Sequence, residues 1–189
     1  MKELLLEIKD CSVCEEFLPL GTRPVVAASE TSKILIIGQA PGSKVHETEI
    51  PWDDPSGGRL REWMGIDKNT FYDESLIALI PMGFCYPGRG KSGDLPPRPE
   101  CAPLWHKSLL DFMPEIQLTL LFGTYAQSYY LNDRKKKTLT ETVRNYEEYL
   151  PDYLPMPHPS PRNNIWLKKN PWFENELLPI LKSQISALL

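Results

Sequence analysis

Short, uninterrupted apolar runs recur along the chain, separated by stretches of helical periodicity. Lys33-Ile34-Leu35-Ile36-Ile37 is stopped by Gly38, and similar runs occupy Leu76 to Ile80 and Leu118 to Phe122, the latter closed by Gly123. A weaker fourth, Tyr153 to Met156, lies just before His158. A run that is apolar at every position, not at alternate ones, reads as a strand buried on both faces. Helical stretches fall around Gly58 to Met64, Leu104 to Phe112, Tyr125 to Leu131 and Asn175 to Leu188. Strands alternating with helices predict a parallel α/β sheet, in which ligands sit beyond the C-terminal strand ends. The first, second and fourth runs each open there into an unusual loop: Gly38 to Gly57, Pro81 to Pro103, and Pro157 to Asn164. Three such loops on one rim organise everything that follows.

The length, 189 residues, suits a single domain spanning 1–189. Hydrophobic residues at 41% and charged residues at 24% exclude disordered and fibrous classes. Nineteen prolines predict long, stiff loops. No apolar run approaches the ~18 to 20 residues that cross a bilayer, and Met1 to Asp10 lacks the regions of a secretory signal. The expected address is cytoplasmic, with no membrane partner. A net charge of −4 argues against coating nucleic acid by bulk charge, yet is compatible with a local basic groove on an acidic body. The one charge run, Arg134-Lys135-Lys136-Lys137, reads as a solvated turn.

Four cysteines group as Cys11-x2-Cys14, Cys85 and Cys101. Disulfides are rare in a reducing compartment, so the pattern reads as a metal site, with unrelated free thiols as the bland alternative. Four thiolates suit either tetrahedral zinc or one [4Fe–4S] cluster. Ligation at both ends would order the Pro/Gly loop between Cys85 and Cys101 and present Arg89, Lys91 and Arg98 to phosphate. In the first rim loop, Gly38-Gln39-Ala40-Pro41-Gly42-Ser43-Lys44 lacks the Gly-x4-Gly-Lys-Ser/Thr spacing of a phosphate loop, and Pro41 removes a backbone donor. It reads instead as a tight turn that lets a flat group approach the main chain. Pro51-Trp52 and Asp53-Asp54 follow, the tryptophan serving as a lid over the core or a stacking platform. In the last loop, two prolines hold His158 and Arg162 on a rigid segment. Arg162, Lys168 and Lys169, interleaved with Trp166 and Trp172, suit a phosphate backbone with exposed bases.

Gly38-Gln39-Ala40-Pro41-Gly42, Pro51-Trp52 and His158-Pro159-Ser160-Pro161, in that order, resemble the uracil-DNA glycosylase superfamily, and the cysteine pattern resembles its iron–sulfur branch. The resemblance runs from Cys11 to Arg162. It implies a three-layer α/β/α sandwich around a four-stranded parallel sheet, a [4Fe–4S] cluster on Cys11, Cys14, Cys85 and Cys101 (zinc remaining the alternative from spacing), and excision of uracil or another deaminated base from DNA; a monomer is the expected state. On this reading Gly38, Gln39, Ala40, Gly42 and Trp52 bind the flipped base, stacked between Trp52 and His158. His158 stabilises the developing oxyanion, Asp53 or Asp54 faces the sugar cation, and Ser160, Arg162, Asn163 and Lys168 contact DNA. The sequence departs from the pattern at Pro81, which stands where the branch carries a base-reading Asn. That departure keeps a second reading open: a member of the fold that binds nucleic acid or a base without cleaving it.

Overall fold

A computed structural model describes residues 1–189. Strands β1 (Ile34–Ile37), β2 (Ile77–Leu79), β3 (Leu118–Phe122) and β4 (Tyr153–Met156) lie in the order β2-β1-β3-β4, and all are parallel. Ile34 faces Ile77 on one side and Leu118 on the other, and Thr119 pairs with Tyr153. Every residue of β1, β2 and β3 is buried. Because successive side chains alternate between faces, the continuous apolar runs feed two cores at once.

Helices cover both faces. One core gathers Ile34 and Ile36 with Leu60, Trp63 and Met64 of α3 (Pro55–Met64), Val143 of α7 (Leu139–Arg144), Leu167 of α8 (Asn164–Lys169) and Leu181 and Ile185 of α9 (Leu178–Leu188). The other gathers Leu35 and Ile37 with Ile8 of α1 (Lys2–Lys9), Leu109 of α5 (Cys101–Asp111) and Ala126 and Leu131 of α6 (Gly123–Leu131). Two short helices, α2 (Ser43–Thr48) and α4 (Lys68–Phe71), complete the set, and the sandwich has the expected three layers. The basic run is a surface turn held within the chain: Arg134 donates to the Glu148 carbonyl, and Lys136 pairs with the Glu148 carboxylate at 2.6 Å.

Two local devices shape the rim. Trp52 sits at φ 58°, a left-handed conformation that costs a bulky residue energy. It is held there by close approach to glycines: a Cβ on Gly57 would overlap the Trp52 carbonyl oxygen, and one on Gly38 would lie 2.8 Å from the indole. The indole edge also packs against Phe122, with ring centroids 5.7 Å apart. The flat group that approaches the Gly38 turn is therefore the chain's own Trp52. At the end of β2, the buried His106 ring contacts the Pro81 carbonyl through Nε2 (3.0 Å) and the Tyr130 hydroxyl through Nδ1 (2.6 Å). A carbonyl only accepts, so Nε2 carries the proton and the Tyr130 hydroxyl donates to Nδ1.

Gly57→Ala should destabilise the fold, by about 1–3 kcal/mol if it behaves as other overpacked sites do, because main chain cannot step aside as a flexible side-chain tip can. A lowered urea midpoint at unchanged slope checks this. Burial pushes the His106 imidazole down from 6.5 to about 4, so this group contributes stability that is complete above 6.5 and is lost as pH falls towards 4. The full loss is roughly 3 kcal/mol at 1.36 kcal/mol per pKa unit. Denaturant titrations at stepped pH should show the stability gap between wild type and His106→Gln narrowing over this window.

Candidate active site

A cavity of about 490 Å³ opens at the C-terminal strand ends, and residues of all three unusual loops line it. The turn after β1 contributes Gly38 to Gly42, with Trp52, Asp54 and Ser56 further along the same loop. The loop after β2 contributes Pro81 and Ser92 to Asp94, and the loop after β4 contributes His158, Ser160, Arg162 and Asn163. No such loop follows β3, because α6 starts directly at Gly123.

His158 is the best-defined group. The Ser160 amide donates to its Nδ1 at 3.2 Å, so the neutral ring carries its hydrogen on Nε2. Burial lowers its pKa, partly opposed by the nearby Asp54 carboxylate. The ring is thus a neutral donor. Its loop is braced from several sides: Asn163 Nδ2 donates to the His158 carbonyl (2.7 Å), Arg59 to the Ser160 carbonyl (3.2 Å), and the Arg162 amide to Ser160 Oγ (3.2 Å). Asp54 caps α3, its Oδ1 accepting from the Gly57 amide at 2.8 Å. Its second carboxylate oxygen has no hydrogen-bond partner in the chain. Asp53 does not line the cavity.

Trp52 and His158 do converge, with a correction to the expected arrangement. Their rings stack directly, centroids 5.6 Å apart and planes inclined by 26°. Offset aromatic pairs occupy about this separation, so no slot for a third flat ring exists between them. Trp52 is a cavity wall that backs the imidazole, not one half of a sandwich. The predicted Gly38, Gln39, Ala40 and Gly42 all line the cavity, and Gln39 Nε2 donates to the Leu95 carbonyl at 3.0 Å. Ser160, Arg162 and Asn163 join them, with Arg162 reaching across the mouth to the Ser92 carbonyl at 3.2 Å.

Lys168 lies elsewhere, in a groove of about 430 Å³ with Arg59, Glu62 and Lys182. Trp166 and Trp172 do not stand free beside it. They pack on each other and on Phe173, and Arg144 lies 4.6 Å from the Trp172 ring centroid. Arg98 is likewise not free for phosphate, being paired with Glu100 and seated over Phe17. Sequence reasoning missed Ser56, Ser92 and Asp94. Asp94 sits in a small hairpin that pairs it with Arg89, and the loop's Gly, Ser and Pro residues give no periodicity that would have placed it.

Cys11, Cys14, Cys85 and Cys101 line one second, small cavity together with Phe84, Arg98 and Trp105. All four are free thiols, and no group of three or more His, Cys, Asp or Glu side chains is placed to hold a metal ion. Burial pushes the Cys85 thiol up to about 11, against the Arg23 amide donating to it. It pushes Cys101 up to about 12, against the Phe84 amide, whose nitrogen lies 3.3 Å from Sγ. The buried Trp105 indole N–H has no acceptor in the chain.

No helix is long and apolar enough to cross a membrane. Among solved structures, the chain is similar to a Methanosarcina acetivorans protein studied by solution NMR and described as a candidate uracil DNA glycosylase. The match has a TM-score of 0.50 at 16% identity and covers 84% of this chain and 94% of that one. It supports the α/β fold. Residues 26–182 match the family model for the Uracil DNA glycosylase superfamily, a span that contains all three loops around the cavity and Cys85 and Cys101. The chain belongs to the uracil DNA glycosylase superfamily.

Proposed function

We propose that this protein is a DNA glycosylase that hydrolyses the N-glycosidic bond of uracil or another deaminated base extruded from DNA. The observation that carries the proposal is His158: a buried, neutral imidazole at a strand end whose Nδ1 is satisfied by the Ser160 amide, leaving Nε2–H to donate. Breaking the sugar–base bond sends its electron pair into the base and leaves an oxocarbenium-like sugar. A fixed neutral donor bonds more strongly to the base oxygen as its charge develops, which is differential transition-state binding. Gln39 and Ala40 line the same cavity, and their amides donate to no backbone carbonyl, so they are further candidate donors to the same oxyanion. Asp54, rigidly capped through one oxygen, presents the other as the negative charge facing the sugar cation. Water adds to the anomeric carbon, and the proton it loses neutralises the departed base anion, so that free base and an abasic site result. The extruded base lies along the cavity walls, since Trp52 and His158 are already in contact.

We also propose that Cys11, Cys14, Cys85 and Cys101 hold a [4Fe–4S] cluster. The donor set fits such a group: four thiols line one cavity, backbone amides donate to two of them, and an orphaned indole N–H awaits an acceptor that cluster sulfide would provide. When bound it supplies structural order, tying α5 and the loop behind Ser92 to the N-terminal segment.

A uracil-containing oligonucleotide should yield free base and an alkali-labile abasic site, with His158→Ala slowing release by about a hundredfold or more. Binding of the oligonucleotide without base release at any pH would favour the non-catalytic reading. Anaerobically purified protein should carry iron and sulfide and absorb broadly near ~400 nm, with the signal lost in Cys101→Ser. Colourless protein with stoichiometric zinc would contradict the cluster.

A further inference from the structure

The cavity contains almost nothing that could read the edge of a base from the end of β2. Pro81 has no N–H and no side-chain hydrogen-bonding group, and its carbonyl is occupied by His106 Nε2 at 3.0 Å. Ser56, Ser92 and Ser160 offer only short hydroxyls, and of the longer polar side chains Asn163 donates to the His158 carbonyl, Arg162 to the Ser92 carbonyl and Gln39 Nε2 to the Leu95 carbonyl. Asp54 is committed to Gly57 and lies close enough to His158 to act on its charge. Asp94 differs from all of these. It lines the cavity, takes part in no side-chain hydrogen bond or ion pair, and its Oδ2 would lie 3.6 Å from a Cβ built on Gly42, over the glycine turn. Two contacts hold it there: the neighbouring Leu95 carbonyl is bound by Gln39, and the Ser92 carbonyl by Arg162.

We infer that Asp94 reads the edge of the extruded base and selects the ring N–H that deamination creates. This rests on the glycosylase reading of the cavity. A carboxylate is an acceptor only. The ring nitrogen between the two exocyclic positions carries a lone pair in cytosine and adenine, whereas the same nitrogen carries a hydrogen in uracil and hypoxanthine. Asp94 therefore attracts the deaminated bases and repels their parents. Gln39 Oε1, left free by the bond from Nε2, adds a second acceptor from the adjoining loop. Because uracil and hypoxanthine share this N–H, the contact serves both ring sizes; thymine and guanine carry the same N–H, so the contact separates a deaminated base from its parent and does not by itself exclude those two. The cavity volume lies within the ordinary range for small-molecule sites and admits either ring size.

The test uses single-turnover release of uracil and of hypoxanthine from oligonucleotides by the wild type, Asp94→Ala and Asp94→Asn. Asp94→Ala should slow both releases by a similar factor, about ten- to a hundredfold, as expected for losing a hydrogen bond to a charged group. Asp94→Asn keeps an accepting oxygen and should stay within about fivefold of wild type. Unchanged rates in Asp94→Ala overturn the inference, and so do equal losses in the two variants, which would show that charge and not hydrogen bonding matters. Should the wild type release neither base, the glycosylase reading fails separately, and calorimetric titration with free uracil and 3-methyluracil decides about Asp94. Tighter binding of uracil by about tenfold, abolished in Asp94→Ala, supports the role. Equal binding of the two ligands, or binding of neither, overturns it.

Discussion

One packing contact ties the rim together: the Trp52 indole laid against the main chain at Gly38, edge-on to Phe122 and face to face with His158. It links the ends of β1, β3 and β4 through a single rigid side chain. The backbone strain at Trp52 persists because Gly57 lets the Trp52 carbonyl approach closely and Asp54 caps the helix that follows. A loop of nearly twenty residues thereby holds its chemistry as firmly as a secondary-structure element would. The imidazole gains from the same contact, since a ring backed by an indole and fixed through Nδ1 has little freedom left to lose when it meets a developing charge.

The chemistry of the cavity is set as much by occupied groups as by open ones. Pro81, Asn163, Arg162, the Gln39 amide nitrogen and one oxygen of Asp54 all have partners within the chain. The free groups include one imidazole N–H, two turn amides, one carboxylate oxygen beside the imidazole, Gln39 Oε1, the Ser56 and Ser92 hydroxyls, and the carboxylate over the glycine turn. In the proposed reaction the donors would face the leaving base, and the acceptors the sugar cation and the ring N–H.

Much of this arrangement was legible in the sequence. Ile34 to Ile37 and Leu118 to Phe122 were readable as strands because a sheet covered on both faces needs no alternation, and Tyr153 to Met156 placed His158 at the right edge. The Gly38 turn was readable as a site of close approach, though what approaches it was not. The contacts of Trp52 arise from a left-handed backbone and from Gly57, features that no pattern of polarity encodes. Helices α1, α2, α4, α7 and α8 escaped detection because each is short and buries only one or two side chains. The capping box of Thr138 and Glu141 was the available signal for α7. Lys168, Trp166 and Trp172 were grouped with Arg162 by proximity in sequence, yet α8 carries Lys168 to another groove, and Trp166 within α8 and Trp172 beyond it both pack on Phe173. Asp94 was invisible for the opposite reason, because only the folded hairpin brings it to the glycine turn.

The strand order β2-β1-β3-β4 places β1 at a switch point, where successive connections depart to opposite sides of the sheet and leave a crevice that the backbone itself cannot close. Every group assigned to chemistry or recognition hangs from loops bordering that crevice, and none belongs to a strand. The scaffold and the active constellation can therefore diverge separately: insertions, deletions or exchanges in the three loops would, on the proposed function, retune which nucleobase is accepted while the four-stranded sheet and the two apolar cores beneath them stay as they are, provided the indole keeps its glycine seat.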